Sequence, residues 1–241
     1  MNNKINTYLS HHSDFSTEDF FIMLQQDEPD IGRSTVYKLL KELCDQNIIT
    51  RTGRGKYNSF GRSEYQYQLS NTAKKISLKI QKEYPLVDFR IWELYQMNEF
   101  LNHQMAHNTI IVDVEDELDE TVFNFLFEKY PHVLFCPSYE EYYRYTGNQT
   151  IVVKKLISEA PSCDDRYHLA PLEKILVDLF GKGISGAIIP KSEYPVIFEE
   201  SFQKYNINTA MMFRYARRRG CEKKVKEFTK VNTGLDLEKK K

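Results

Sequence analysis

Residues 27–32 read Asp-Glu-Pro-Asp-Ile-Gly. Neither a helix nor a strand runs through such a stretch, because Pro29 lacks a backbone donor and Gly32 favours a break. It parts two short amphipathic segments and so fixes the layout of the N-terminal part of the chain. Upstream, Ile5, Tyr8 and Leu9 have helical spacing. Ser16 followed by Asp19 then marks a second helix start, with Phe20, Phe21 and Leu24 as its buried face. Downstream, Ser34 is expected to cap a third helix in which Val36, Leu39, Leu40 and Leu43 fall at i, i+3, i+4 and i+7. The β-branched run Ile48-Ile49-Thr50-Arg51-Thr52 predicts a strand. A loop with Gly53, Gly55 and Gly61 follows, and the alternating Tyr65, Tyr67 and Leu69 predict a returning strand. Helix, helix, turn, helix, strand, loop, strand is the order of a winged helix-turn-helix.

Face geometry adds a surface to that order. At about 100° per residue, the Val36/Leu39/Leu40/Leu43 stripe faces inward, Ser34, Lys38 and Lys41 face outward, and Tyr37 lies on a flank. Arg51, Arg54, Lys56 and Arg62 stud the expected wing. Short polar and basic side chains on an exposed helix can reach base edges and phosphates, and cations on a hairpin can follow the backbone or enter the minor groove. Net charge is −1 overall but strongly segregated. Residues 1–30 hold one basic and six acidic groups, residues 31–82 eleven and three, residues 83–210 ten and twenty-one, and residues 211–241 eleven and four. A basic block of this size marks a local surface for a polyanion, which the acidic middle would repel.

Beyond residue 70 the pattern changes. Ala73, Ile76 and Ile80 predict a linking helix within residues 71–92, ended by Tyr84-Pro85. Strands are expected at 110–114, 132–136 and 149–156, and helices at 121–130, 140–145, 172–179 and 196–205. A brief apolar element occupies 187–189, and a basic helix or helix pair spans 209–228 with an interruption at Gly220. The expected fold class is therefore α/β (α+β): a winged helix-turn-helix domain over residues 1–80, a larger mixed α/β domain over 81–231 with a basic C-terminal helix, and a polar Lys-ending tail over 232–241. With 41% apolar and 28% charged residues, no apolar run of ~18 residues and no signal-type apolar segment in the first 30, the expectation is a globular cytoplasmic protein without a membrane span.

Candidate chemistry is sparse. His103 and His107 stand at i, i+4, but Gln104 occupies the position where a zinc protease needs Glu, and no third ligand follows. Adjacent His11 and His12 would point apart on a helix. No metal site, cofactor or catalytic residue is therefore assigned. Asp113, Glu115, Asp116 and Glu117 close a strand where a metal-dependent nuclease could keep its acids, yet Val152-Val153-Lys154 has Val where such an enzyme needs a second acid. The bland alternative is an acidic helix start. Arg214, Arg217, Arg218, Arg219 and Lys223 form a basic run that could meet phosphates, an RNA or an acidic partner, or could simply be a solvated face.

Three strings carry a family resemblance: Gly32-Arg33-Ser34-Thr35-Val36-Tyr37-Lys38-Leu39-Leu40, Ile111-Val112-Asp113-Val114-Glu115, and Ala170-Pro171-Leu172-Glu173-Lys174-Ile175-Leu176-Val177-Asp178. Together they resemble the AbiEi-type antitoxins, the regulatory halves of type IV toxin–antitoxin (abortive infection) systems of antiviral defence. The third string is the most specific, and the resemblance spans residues 1–228. It implies a transcriptional autorepressor that binds inverted repeats in double-stranded operator DNA at its own promoter, as a monomer or weak dimer, cooperatively. It also implies that the larger domain counteracts a nucleotidyltransferase-type toxin without necessarily forming a stable complex. On the resemblance, Arg33, Ser34, Thr35, Tyr37, Lys38, Lys41, Arg51 and Arg54 contact DNA; no antitoxicity residue transfers individually, and it is its charge that makes the Arg214–Lys223 run the candidate for antitoxicity. Ser34-Thr35-Val36-Tyr37 is also similar to the recognition helix of Fur-type repressors, but the metal motifs of that family are missing after the wing. Two alternatives stay open: a nuclease-like module recruited by a winged helix, and a ligand-sensing winged-helix repressor.

Overall fold

The computed structural model describes residues 2–46, 48–59, 64–163 and 165–235. Arg62 and the last six residues of the expected tail lie outside them. The chain divides into two compact units that part between Glu64 and Tyr65, with Lys204–Asn206 grouping with the first.

The first unit runs α1 (Asn2–His11), β1 (Asp14–Ser16), α2 (Thr17–Gln25), α3 (Arg33–Asp45), β2 (Thr50–Gly53) and β3 (Lys56–Asn58). The strands form an antiparallel sheet in the order β1-β3-β2. At the start of α2 the Ser16 hydroxyl accepts from the Asp19 N–H (3.1 Å), and the Asp19 carboxylate accepts from the Ser16 N–H (2.8 Å). This reciprocal box satisfies two backbone donors that a helix start leaves open. Ile5, Leu9, Phe15, Phe20, Leu24, Val36, Leu40, Ile49 and Tyr57 make the core.

Three expectations for this unit need correction. Gly32, not Ser34, precedes the first turn of α3, and no side chain caps it. The returning strand is β3 at 56–58, reached by a tight turn in which Gly55 takes a φ of +68° that a Cβ would disfavour. Tyr65, Tyr67 and Leu69 belong to no strand; Tyr67 and Leu69 pack on the core of the second unit.

The first helix of the second unit is α4 (Asn71–Glu83), so the two units part before the linking helix, whereas the expected boundary at residue 80 falls inside it. There follow β4 (Phe89–Glu93), β5 (Asn108–Val114), α5 (Asp119–Phe127), β6 (Val133–Phe135), α6 (Tyr139–Tyr145) and β7 (Gln149–Lys155). Then come α7 (Leu172–Asp178), α8 (Ser185–Ile188), α9 (Tyr194–Lys204), α10 (Thr209–Arg218) and α11 (Glu222–Asn232). The sheet order is β4-β5-β7-β6, with β5, β7 and β6 parallel and β4 antiparallel at one edge. The architecture is thus mixed α/β with two separate sheets.

Strand alternation sorts the second sheet into two faces. Ile110, Val112, Val114, Ile151, Val153 and Val133 pack with Ala73, Ile76 and Ile80 of α4 and Val122 and Leu126 of α5. Asp113 and Lys154, register partners on β5 and β7, stand on the opposite face. β4 is not legible in the sequence because all five of its residues are buried, so it shows no alternation, and Arg90 and Glu93 disguise it further. Their charges are satisfied locally. The Arg90 guanidinium pairs with Asp88 and donates to the Pro161 carbonyl, while Glu93 accepts from the Ser70 N–H and the Asn108 amide.

Candidate functional site

α3 and the β2–β3 hairpin of the first unit carry the residues expected to contact DNA. Val36 and Leu40 are buried, which turns Ser34, Lys38 and Lys41 outward on the opposite side of α3. Of the ten residues expected to contact DNA, the nine described ones (Arg33, Ser34, Thr35, Tyr37, Lys38, Lys41, Arg51, Arg54 and Lys56) are all exposed. Tyr37 is 54% exposed despite its large apolar ring. Arg33 is already engaged: its guanidinium pairs with Glu18 (3.0 Å) and lies 4.9 Å above the Phe21 ring. Arg51 donates from Nε to the Gly53 carbonyl (3.2 Å) beside the turn that carries Arg54. Cations and short polar donors arranged this way can meet phosphate oxygens and base edges.

The basic C-terminal run does not form one ridge. The chain breaks at Gly220 (φ +66°), separating α10 from α11. Arg214, Arg217, Arg218 and Lys223 are exposed. Arg217 is held through two hydrogen bonds to Glu222 (2.9 and 3.2 Å), and Lys226 approaches the same carboxylate at 2.9 Å. Those hydrogen bonds, from Arg217 first and then Lys226, hold the Glu222 carboxyl down at about 2. Arg218 donates to the Ser158 hydroxyl. Arg219 leaves the run altogether: its side chain is only 9% exposed and its Nη1 lies 3.1 Å from Asp178. The inward turn directly after α10 aims this guanidinium into the domain, so it is unavailable to an external polyanion.

Arg219 enters a buried charge cluster that the sequence pattern does not assemble. Lys174 and Asp178 stand one turn apart on α7, every residue of which is buried. Lys174 Nζ donates to Asp113 and to Asp178, each at 2.7 Å. Lys154 pairs with Asp113 and lies 3.6 Å from Asp178. The Tyr215 hydroxyl donates to Asp178 at 2.9 Å. Gly181 makes room for the remaining partner, since a Cβ there would collide with the Arg219 guanidinium. Two carboxylates thus face three cations. Burial alone would raise the Asp178 carboxyl, but Lys174, Lys154 and Arg219 outweigh it and hold the group far below the ordinary carboxylate range. Burial would likewise lower Lys174, and Asp113 with Asp178 reverses that and raises it. The available signal was the i, i+4 pair of opposite charges, Lys174 and Asp178, on a helix whose other residues apart from Glu173 are apolar.

The acidic string after β5 does not converge. Both Asp113 oxygens are taken by lysine ammonium groups, the Glu115 carboxylate accepts from the Asp88 N–H (2.9 Å), and Asp116 pairs with Lys155. Glu115, Asp116, Lys155, Ser158 and Arg218 help line an open cleft of about 860 Å³ at the carboxyl ends of β5 and β7. Among the described residues no three His, Cys, Asp or Glu side chains are grouped so as to hold a metal ion. His103 is exposed and faces Glu193 at 3.4 Å.

Among the described residues no helix is long and apolar enough to cross a membrane. No curated protein matches the chain. Residues 35–234, from the exposed start of α3 through α11 and thus including the whole charge cluster, match a family described as one of unknown function, DUF6577, and the chain belongs to that family.

Proposed function

We propose that this protein is a DNA-binding transcriptional autorepressor whose first unit is a winged helix-turn-helix and whose second unit confers antitoxicity in a type IV toxin–antitoxin system. The observation that carries the DNA-binding half is the first unit itself. Its order is helix, strand, helix, helix, strand, strand around an antiparallel β1-β3-β2 sheet, and the exposed cations gather on α3 and the hairpin. In this reading α3 is the recognition helix. Ser34, Thr35 and Tyr37 reach base edges, while Lys38, Lys41, Arg51, Arg54 and Lys56 bind phosphates. Arg33, already tied to Glu18, positions the helix start. The operator carries inverted repeats, occupied cooperatively by a monomer or weak dimer. The antitoxin half rests on the AbiEi-type resemblance of the three strings. It takes a nucleotidyltransferase-type toxin as functional partner and a cytoplasmic, non-enzymatic role for this chain.

The test is fluorescence anisotropy on the DNA upstream of the gene, against a scrambled duplex, across a salt series. A site-specific repressor prefers its operator by at least about 10³. Replacing Lys38 and Arg54 together by Ala should weaken binding and lower the salt slope by about one unit for each phosphate no longer neutralised. Equal, weak and steeply salt-dependent binding to both duplexes would overturn the repressor reading.

A further inference from the structure

The two edges of the second sheet are treated differently. Outside β4 the chain returns at His168–Ala170. There the Ile91 N–H donates to the His168 carbonyl, and the Ala170 N–H donates to the Ile91 carbonyl, each at 2.9 Å, so that edge is covered. At the other edge stands β6, Val133-Leu134-Phe135, paired among the described residues with β7 alone. The Cys136 N–H donates to Val153, and the His132 carbonyl accepts from Ile151. Val133 and Phe135 are out of phase with those two residues, so their backbone groups point to the open side. No charge or proline interrupts β6 itself, and Pro131 and Pro137 bracket it. Val133 itself is buried and Phe135 is 37% exposed; an edge whose backbone groups have no strand partner among the described residues is a template for strand pairing. Phe127 and Tyr145 line a shallow depression with Val133 and Leu134 of this edge, and with Phe135 they are between 37% and 61% exposed, large apolar rings at a place where an interaction surface would form.

We propose that this edge is where a second copy of the chain docks, β6 against β6, about a two-fold axis through Leu134. An axis perpendicular to the sheet runs the two strands antiparallel. Val133 then faces Phe135 of the copy and exchanges both backbone hydrogen bonds with it, twice over, for four in all. The same axis sets the two α6 helices antiparallel on one face and the two α5 helices on the other. Charge selects the second copy as occupant. α6 carries Glu140 and Glu141 in its first turn and Arg144 in its last; the Glu141 carboxylate is held by the Ser138 N–H, so an antiparallel copy brings each arginine to the other's Glu140. Such self-complementarity is what an isologous interface requires. The Tyr139 and Tyr143 rings, 4.5 Å apart at i, i+4, supply apolar area between the charged ends. The proposal stands independently of the DNA-binding reading.

Sedimentation equilibrium of the full chain without DNA tests it. The wild type is expected to pass from monomer to dimer within the micromolar range. Arg144→Glu turns two attractions into repulsions and should raise the dimer Kd about tenfold or more. Combining Glu140→Arg with Arg144→Glu restores complementarity and should recover most of that loss. Phe135→Lys places an ammonium on the edge and should hold the chain monomeric. The single tryptophan, Trp92, is fully buried in this unit, so its fluorescence verifies that each variant is folded. A wild type that stays monomeric throughout, or a dimer that both Arg144→Glu and Phe135→Lys leave intact, overturns the proposal. Failure of the double variant to recover overturns the antiparallel pairing of α6.

Discussion

Asp178→Asn removes one charge from the buried cluster and almost no volume. In the wild type the carboxylate meets Lys174 at 2.7 Å, the Tyr215 hydroxyl at 2.9 Å, Arg219 at 3.1 Å and Lys154 at 3.6 Å. With Asn there, three cations face the single carboxylate of Asp113. Removing one partner from a buried ionic network costs about 3–5 kcal/mol, because the remaining charges keep their desolvation penalty without the attraction that offset it. For a unit of this size each kcal/mol corresponds to about 2–4 °C, so the melting temperature should fall by about 6–20 °C. Urea unfolding followed by Trp92 fluorescence reads the second unit specifically. The pH dependence separates charge from packing. The folded carboxyl is held below its unfolded value, so its contribution is complete above the unfolded pKa, about 3.9, and is lost as pH falls through the folded value. Lys174 is shifted the other way; its contribution is complete below its unfolded pKa and is lost only as strongly alkaline pH passes the raised folded value. The difference between wild type and Asp178→Asn should therefore be constant from about pH 5 to 8 and shrink in stronger acid. A loss below about 1 kcal/mol at neutral pH, or a gap that persists unchanged in acid, would refute this account of the cluster.

Gly181→Ala should destabilise the second unit by about 1–3 kcal/mol, because the new Cβ displaces the Arg219 guanidinium from Asp178. Combined with Asp178→Asn it should cost less than the sum, since both break the same ion pair; a fully additive urea series would show that Gly181 acts elsewhere. Ser16→Ala should cost the first unit about 1 kcal/mol through loss of the capping box, read by hydrogen exchange at the α2 amides, and unchanged protection there would contradict it. Labelled DNA or RNA incubated with Mg²⁺ or Mn²⁺ should stay intact, because Asp113 is held by two lysines. Product that forms with the wild type and vanishes with Asp113→Ala would instead establish the nuclease reading.

How the chain divides into legible and hidden parts follows from the range of the forces involved. The breaks at Pro29-Asp30-Ile31-Gly32, the box at Ser16 and Asp19, the inward stripe of α3 and the apolar strands β5 and β7 are set by neighbours within a turn or a strand. The sequence by itself therefore determined them, together with the outward face of Ser34, Lys38 and Lys41. β4 stayed hidden because burial on both faces erases the period on which a strand is recognised. The expected strand at Tyr65, Tyr67 and Leu69 had that period, yet these residues form no strand: a period of two is necessary for a half-buried strand and not sufficient for one. The charge cluster was beyond any local pattern: Asp113, Lys154, Lys174 and Asp178 with Arg219 span more than a hundred residues, and only parallel pairing of β5 with β7 and the seating of α7 on that face bring them together. Tertiary structure alone likewise turned Arg219 inward out of a run of surface arginines and left β6 rather than β4 at the open edge. Which residues end up as neighbours across a sheet is decided by chain crossings that no short-range periodicity encodes.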